Sequence, residues 1–516
     1  MSPEGKKYNH LHNGDKVKFA EPGENSFDVL LRLVNTVKNR GLILESKLYL
    51  ALIYALYGID NTLRHHDFPA DTASLGYLDS KELYLADLAE LFLYNKEMDK
   101  FRKVLGTLEK ISENLLLDVN HNPVYLHTRI AILHAMAGDS PDFLLKTIKL
   151  IKKFPGRAPE TLSSINNMLI TIADVIILSR DGKALLPEIT DLLEMVPRNQ
   201  GRDDMAGYVA RKLCLRNEVE PTDNLSYIEF ARDKMMPDMR DGTEIDFTKI
   251  QMAVALSKYS SPGREKSEDM NALSLKLIGE CENKLKNSRN TPETIMIKFN
   301  LVRGYDQVGL HKSALSLKND LTKDFYRDLE SFESTMSMIE TVRKINNNRF
   351  PRDIAELEEN VLDMATGNLS AIPMSLTLAG HYSEDEQFAL GCLSEAENMT
   401  MKLPFIDMRK EVLYQIAGAY AYRGMKDRSI EAFRKITGII SQLTRSESTD
   451  EFMDSFTDRV GEAFQYSPDP GLIKMWEDFG KDLKLSAPKH EESVKFLLNC
   501  IFSHKRSWFW NVSFSD

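Results

Sequence analysis

Residues Glu411–Ile436, EVLYQIAGAYAYRGMKDRSIEAFRKI, constrain the fold more than any other stretch of the chain. Leu413, Ile416, Ala417 and Tyr420 recur at three- and four-residue spacing, which places them on one face of a helix. Gly424 follows, where a helix end favours a residue free to take positive φ. Ile430, Phe433 and Ile436 then make the apolar stripe of a second helix. Two short amphipathic helices joined by a tight turn bury such stripes against each other and against further helices. Ala417 is small enough to let a neighbouring backbone come close, and Tyr420 and Phe433 fill the space beside it.

The same pattern recurs elsewhere: a small residue, a bulky one three later, and a turn four after that. Ala51, Tyr54 and Gly58 fit it, as do Ala89, Phe92 and Lys96, then Ala131, His134 and Gly138, then Ala173, Ile176 and Arg180. Ala253 and Leu256 open a pair with a longer turn. Tyr305, Gly309 and Ala314 give another copy, and Ala379 and Tyr382 one more. In the first stretch Leu413, Ile416, Ala417, Tyr420, Ser429 and Phe433 fall on the frame W-x2-L-G-x2-Y…A-x3-F, with Leu413 in place of Trp and Ser429 in place of Ala. On these residues the chain resembles the tetratricopeptide-repeat (TPR) family over residues 43–443. Pro155 and Pro197 fall where that family places a closing proline. The step between copies, roughly 38–42 residues, exceeds the family's 34, and about eleven helix pairs fit the chain. The resemblance implies an all-α fold: a right-handed α-solenoid of antiparallel helix pairs whose first helices line a concave surface.

A chain of 516 residues is too long for one compact core, since single cores stop growing near roughly 250–300 residues. A repeat array lengthens without enlarging its core. The expected organisation is a disordered tail at 1–24, helical repeats at 25–215, further TPR-like repeats at 247–444 and a helical capping module at 445–516. Residues 216–246, polar and containing Pro221 and Pro237, read either as a hinge or as a pair of long inter-repeat loops. The capping module is expected to hold helices near Asp450–Phe464, Pro470–Leu483 and Glu491–His504. The apolar run Leu48–Ile59 is shorter than the ~18–20 residues that cross a bilayer, so it reads as a buried helix. No alternating β-branched stretch is long enough for a strand.

Functional signals are sparse. A net charge of −11 disfavours a general nucleic-acid binder. Cys214, Cys281, Cys392 and Cys500 lie far apart without a CxxC and read as reduced, buried thiols. The N-terminal stretch has no apolar segment of the kind a secretion signal needs, and a cytoplasmic protein is expected. Phosphate-loop, dinucleotide, nucleophile-elbow and HExxH patterns are absent, so no cofactor, metal or catalytic residue is assigned. The family's groove positions, carried onto this sequence, give Leu48, Leu52 and Leu56, then Thr128, Ile132 and Met136, then Ile170, Asp174 and Leu178. In the C-terminal half they give Phe299, Arg303 and Gln307, then Tyr414, Gly418 and Tyr422. The Lys and Asn of the family's chaperone clamp are not at these positions. The resemblance therefore implies a non-catalytic scaffold or adaptor holding a peptide or an amphipathic helix in its groove. The alternatives are a peptide-gated regulator and an enzyme whose catalytic groups are scattered over the repeats. Trp508, Phe509, Trp510 and Phe514 crowd the C-terminus. They read as a tail folded back on the last helix, as an anchor for a partner or a second copy of the chain, or as a membrane-surface contact.

Overall fold

The computed structural model describes residues 24–512 apart from 116–123, 154–165, 177–181, 220–224, 240–242, 260–266, 286–290, 346–351, 444–448 and the single positions 79, 167, 168, 199, 200 and 384. Among the described residues the regular elements are helical and no strand occurs. The α-helices are α1 (Glu24–Val34), α2 (Arg40–Leu56), α3 (Lys81–Tyr94), α4 (Met98–Leu115), α5 (Val124–Met136), α6 (Asp142–Lys153), α7 (169–176), α8 (Leu186–Met195), α9 (Arg202–Val219), α10 (Leu225–Phe230), α11 (Thr243–Tyr259) and α12 (Ser267–Leu285). They continue with α13 (Pro292–Gln307), α14 (His311–Ile345), α15 (Arg352–Tyr382), α16 (Glu386–Thr400), α17 (Ile406–Tyr422), α18 (Lys426–Leu443), α19 (Thr449–Tyr466), α20 (Pro470–Asp482) and α21 (Ala487–Val512). Within 216–246, α10 runs on into a π-turn at Ala231–Met235 and a 3-10 turn at Met236–Asp238. The helices sort into two compact units. One comprises Met1–Glu244 with Thr449–Asp516, the other Ile245–Ser448.

Five of the turns that the sequence spacing marks share one geometry, while those at Arg180 and after Tyr259 lie outside the described residues. Gly58, Lys96, Gly138, Gly309 and Gly424 all lie in the left-handed region, with φ of 68°, 61°, 76°, 82° and 71°. At Gly424 the amide donates to Ala421 O and the next amide, Met425, reaches back to Tyr420 O. The matching pairs of bonds close the helices at Gly58, Lys96, Gly138 and Gly309. This arrangement satisfies the last carbonyls of a helix and turns the chain sharply. Glycine takes the conformation without steric cost, so Lys96 is the strained member of the set.

In the first unit the last helices pack on the first ones. From Leu48 to Leu56 the α2 helix is apolar all round, and α2 packs among α1, α3 and α21. Phe27 of α1 meets Tyr54, Tyr57 and Phe464 at ring separations of 5.9, 5.3 and 6.0 Å. Tyr57 Oη donates to the carbonyls of Phe464 and Gln465 at the end of α19, and Lys495 pairs with Glu45 at 2.7 Å. Val494, Leu497, Leu498, Ile501 and Phe502 of α21 are all buried. Removing each such side chain from water contributes roughly 1.5–3 kcal/mol. At Gly461 of α19 a Cβ would stand 2.7 Å from that of Cys500, so the absence of a side chain sets how closely α19 and α21 approach. The side chains from Ser507 onward, including Trp508, Phe509, Trp510 and Phe514, lie outside the described residues.

In the second unit most helices from α12 on pack on the next, and the odd-numbered α13, α15 and α17 also pack on one another in turn. Thus α13 contacts α14 and α15, α15 contacts α16 and α17, and α17 contacts α18. Starts are capped by sequence: Thr291 and Thr294 form a capping box before α13, and Asp385 accepts from Phe388 N at the start of α16. Ala417 is fully buried, and Ser429 Oγ donates to its carbonyl at 2.9 Å. The α11–α12 pair repeats this bond, Ser274 Oγ to Ala253 O at 2.7 Å. A serine on the second helix thus turns a close helix contact into a hydrogen bond.

Candidate functional site

The α13, α15 and α17 row keeps several apolar and amide side chains half-buried. On α13 the half-buried residues Met296, Asn300, Arg303 and Gln307 follow one another at four, three and four residues, which keeps them on one face. On α15 the half-buried Met374 and Leu378 lead to Tyr382, 36% exposed at the helix end. On α17 Gln415 is half-buried.

Arg303 and Tyr382 join the first two helices. The Arg303 guanidinium carbon lies 4.3 Å from the centre of the Tyr382 ring. The His381 ring in turn stacks on Tyr422 of α17 at 4.2 Å and leans on Tyr382 at 4.5 Å. Arg423 holds the end of α15 in place by donating to the carbonyls of Gly380, His381 and Ser383. Burial pushes the Arg423 guanidinium below its ordinary value, and its donors are committed to those carbonyls. Arg303 is different. It makes no ion pair among the described residues, and its Nε is shielded from solvent without a hydrogen-bond partner. One turn further along α13, Gln307 Oε1 is also shielded and unbonded.

The sequence-derived positions divide sharply. Arg303, Gln307 and Tyr422 come together at this face, Tyr422 with only 7% of its surface accessible. Phe299, Tyr414 and Gly418 are buried beneath it. The apolar set assigned to the first repeats lies inside the fold. Leu48, Leu52 and Leu56 are buried because α2 is surrounded by other helices, and Ile132 and Met136 are buried in α5. Thr128 accepts from Thr171 Oγ1 at 2.9 Å, Asp174 is paired with Lys212 at 3.0 Å, Ile170 is half-buried, and Leu178 lies outside the described residues. Tyr382, Met374 and Leu378 were not assigned from the sequence. In the α15 copy, the groove positions of the frame fall on the buried Leu376 and Gly380 instead, and the lone aromatic at the helix end was the available signal.

A second constellation sits in the first unit, and its charges are matched. Arg129 Nη2 donates to Asp87 Oδ1 at 2.7 Å and to Glu90 Oε2 at 2.9 Å. Arg506 Nη1 stands 3.5 Å from the same Glu90 oxygen, and Tyr94 Oη donates to Glu90 Oε1 at 2.5 Å. Glu90 is fully buried. Burial raises the Asp87 carboxyl, and the two arginines oppose that rise. Two carboxylates of α3 are thereby held by one arginine from α5 and one from α21.

The four cysteines are buried and form no disulfide, and burial pushes the thiols of Cys281 and Cys392 up to about 12, far from a reactive thiolate. Among the described residues no three His, Cys, Asp or Glu side chains converge as metal ligands would. No described helix is long and apolar enough to cross a membrane. The sequence matches no protein-family model and no curated protein.

Proposed function

We propose that this chain is a non-catalytic protein–protein interaction scaffold or adaptor of the cytoplasm, a right-handed solenoid of TPR-like helix pairs that holds a polypeptide along its first helices. The observation that carries this reading is the α13–α15–α17 face, where Met296, Asn300 and Gln307 share a helix face with Arg303, which no acid among the described residues partners. Such a surface offers contact area and hydrogen bonds without a nucleophile and base in register. The shared turn geometry and the packing of α13 on α15 and α15 on α17 support the repeat architecture. Met374 and Leu378 supply the apolar part of the contact, and Arg303 with Gln307 the polar part.

The test is affinity capture from the native cell with the wild-type chain and with the double variant Met374→Glu, Leu378→Glu. Both side chains are half-buried, so an unchanged circular dichroism spectrum and melting temperature must accompany the comparison. A stoichiometric partner lost only with the variant is the expected result. A partner retained by the correctly folded variant would place binding elsewhere and end this reading.

A further inference from the structure

We infer that α21 is a resident helical ligand of the α2–α3 surface, an autoinhibitory contact that keeps this surface closed until α21 leaves it. The inference concerns the first unit alone and does not rest on the α13–α15–α17 face. One side of α21 packs on α19, where Gly461 lets Cys500 come close and His504 Nε2 meets Asp458 Oδ1 at 2.9 Å. The other side faces α2 and α3. There Lys495 pairs with Glu45 at 2.7 Å, the Phe502 ring lies 6.0 Å from that of Tyr49, and Arg506 stands 3.5 Å from Glu90 and 4.0 Å from Asp87. Lys495, Phe502 and Arg506 follow one another at seven and four residues, so they form one stripe along the helix.

The receiving surface is built from helices that open successive copies of the repeat frame. Leu48, Leu52 and Leu56, the groove positions of α2, are buried, and α21 packs along that helix. A surface whose sequence suits an amphipathic helix is therefore covered by one, and the helix is the chain's own. Charge fixes its register at both ends. The Asn39 amide donates to Glu491 Oε2 at 3.0 Å and Glu45 takes Lys495, while the Asp87–Glu90 pair, held on its other side by Arg129 of α5, takes Arg506. Such complementary charges select a partner and its alignment, which apolar contact alone does not. The turn that joins α21 to α20 is short, with Lys484 and Ser486 exposed and Lys484 at a φ of 56°. Once α21 is withdrawn, the surface takes the same helix from a second copy of this chain.

The experiment uses the full chain with a specific protease site inserted between Leu485 and Ser486, and a fluorescent peptide of residues Ala487–Arg506. Before cleavage the peptide should not bind. After cleavage it should replace the excised helix, read as raised anisotropy and co-elution with the protein. A peptide carrying Lys495→Glu should bind the cleaved wild-type protein roughly tenfold more weakly, and Glu45→Lys in the protein should reverse that order. The peptide variant leaves the protein untouched, so it decides the matter without requiring the Glu45→Lys chain to fold. Equal binding before and after cleavage overturns the inference, because α21 then closes nothing. Refusal of the peptide after cleavage, or aggregation of the cleaved protein, also overturns it, because α21 is then part of the core. Equal binding of the wild-type and Lys495→Glu peptides overturns it as well. Each of these results leaves the scaffold reading to the capture experiment above.

Discussion

The α3–α5–α21 junction and the α13–α15–α17 face treat charge in opposite ways. At the junction two carboxylates are buried with two guanidiniums, and Glu90, with no accessible surface, takes bonds from both Arg129 and Tyr94. At the face the Arg303 guanidinium rests on the Tyr382 ring, and no acid among the described residues pairs with it. Buried charges are tolerated when each is paired and hydrogen-bonded, and their loss from one side leaves the other uncompensated. A partly accessible arginine without a partner adds little to folding and retains its donors for another molecule. The difference separates a constellation that fixes helix register from one that is free to recognise something.

The largest expected effect lies at the junction. Arg129→Leu leaves the charges of Glu90 and Asp87 to the more distant Arg506, and urea unfolding should show a loss of about 3–5 kcal/mol. Arg303→Leu, by contrast, should change stability by no more than about 1 kcal/mol, the scale of a cation–π contact. Equal losses from the two substitutions would break the comparison. Next comes packing beneath the face. Ala417→Leu should overpack the α17–α18 contact and cost about 1–3 kcal/mol, read as a lowered melting temperature.

Lys505 sharpens the comparison from the side of pH. It lies close to the junction on α21, 8% exposed, with its amine 4.4 Å from the centre of the Tyr57 ring. Burial pushes it down to about 8 from its ordinary 10.5. A lysine whose folded value is depressed destabilises the fold in its charged form. The penalty is fully present below pH 8 and is relieved as pH rises from 8 towards 10.5. Lys505→Met should remove that rise and stabilise the protein at pH 7 by about 1–3 kcal/mol. A flat stability profile across pH 8–10.5 in the wild type would count against it. The smallest effect is at Lys96, where a left-handed backbone carries a side chain. Lys96→Gly should stabilise by about 0.5–1 kcal/mol in thermal melts.

Local signals carried most of what was legible in the sequence. Gly58, Gly138, Gly309 and Gly424 marked helix ends because few other residues take positive φ readily, and Lys96 was found by spacing alone. Ser429 looked like a departure from an alanine frame, and its bond to Ala417 O gives it a role there. The N-terminal apolar set could not be judged locally. Leu48, Leu52 and Leu56 are apolar whether they line a groove or fill a core, and what covers α2 includes α21, a helix more than four hundred positions later in the chain. Arg303 fell on a groove position of the frame. Tyr382 fell on the frame's bulky position and not on the groove, because its contact with Arg303 depends on how α13 and α15 stack, which no single helix encodes.

Photo-crosslinking decides whether a partner lies along α13, α15 and α17. A benzophenone side chain replaces Tyr382 in one preparation and Met195, 40% exposed on α8, in another. Both are irradiated in the native cell, and adducts are resolved by mass. The account predicts a discrete protein adduct from position 382 and none above background from 195. Adducts of equal yield from both positions, or none from 382 alone, would contradict it.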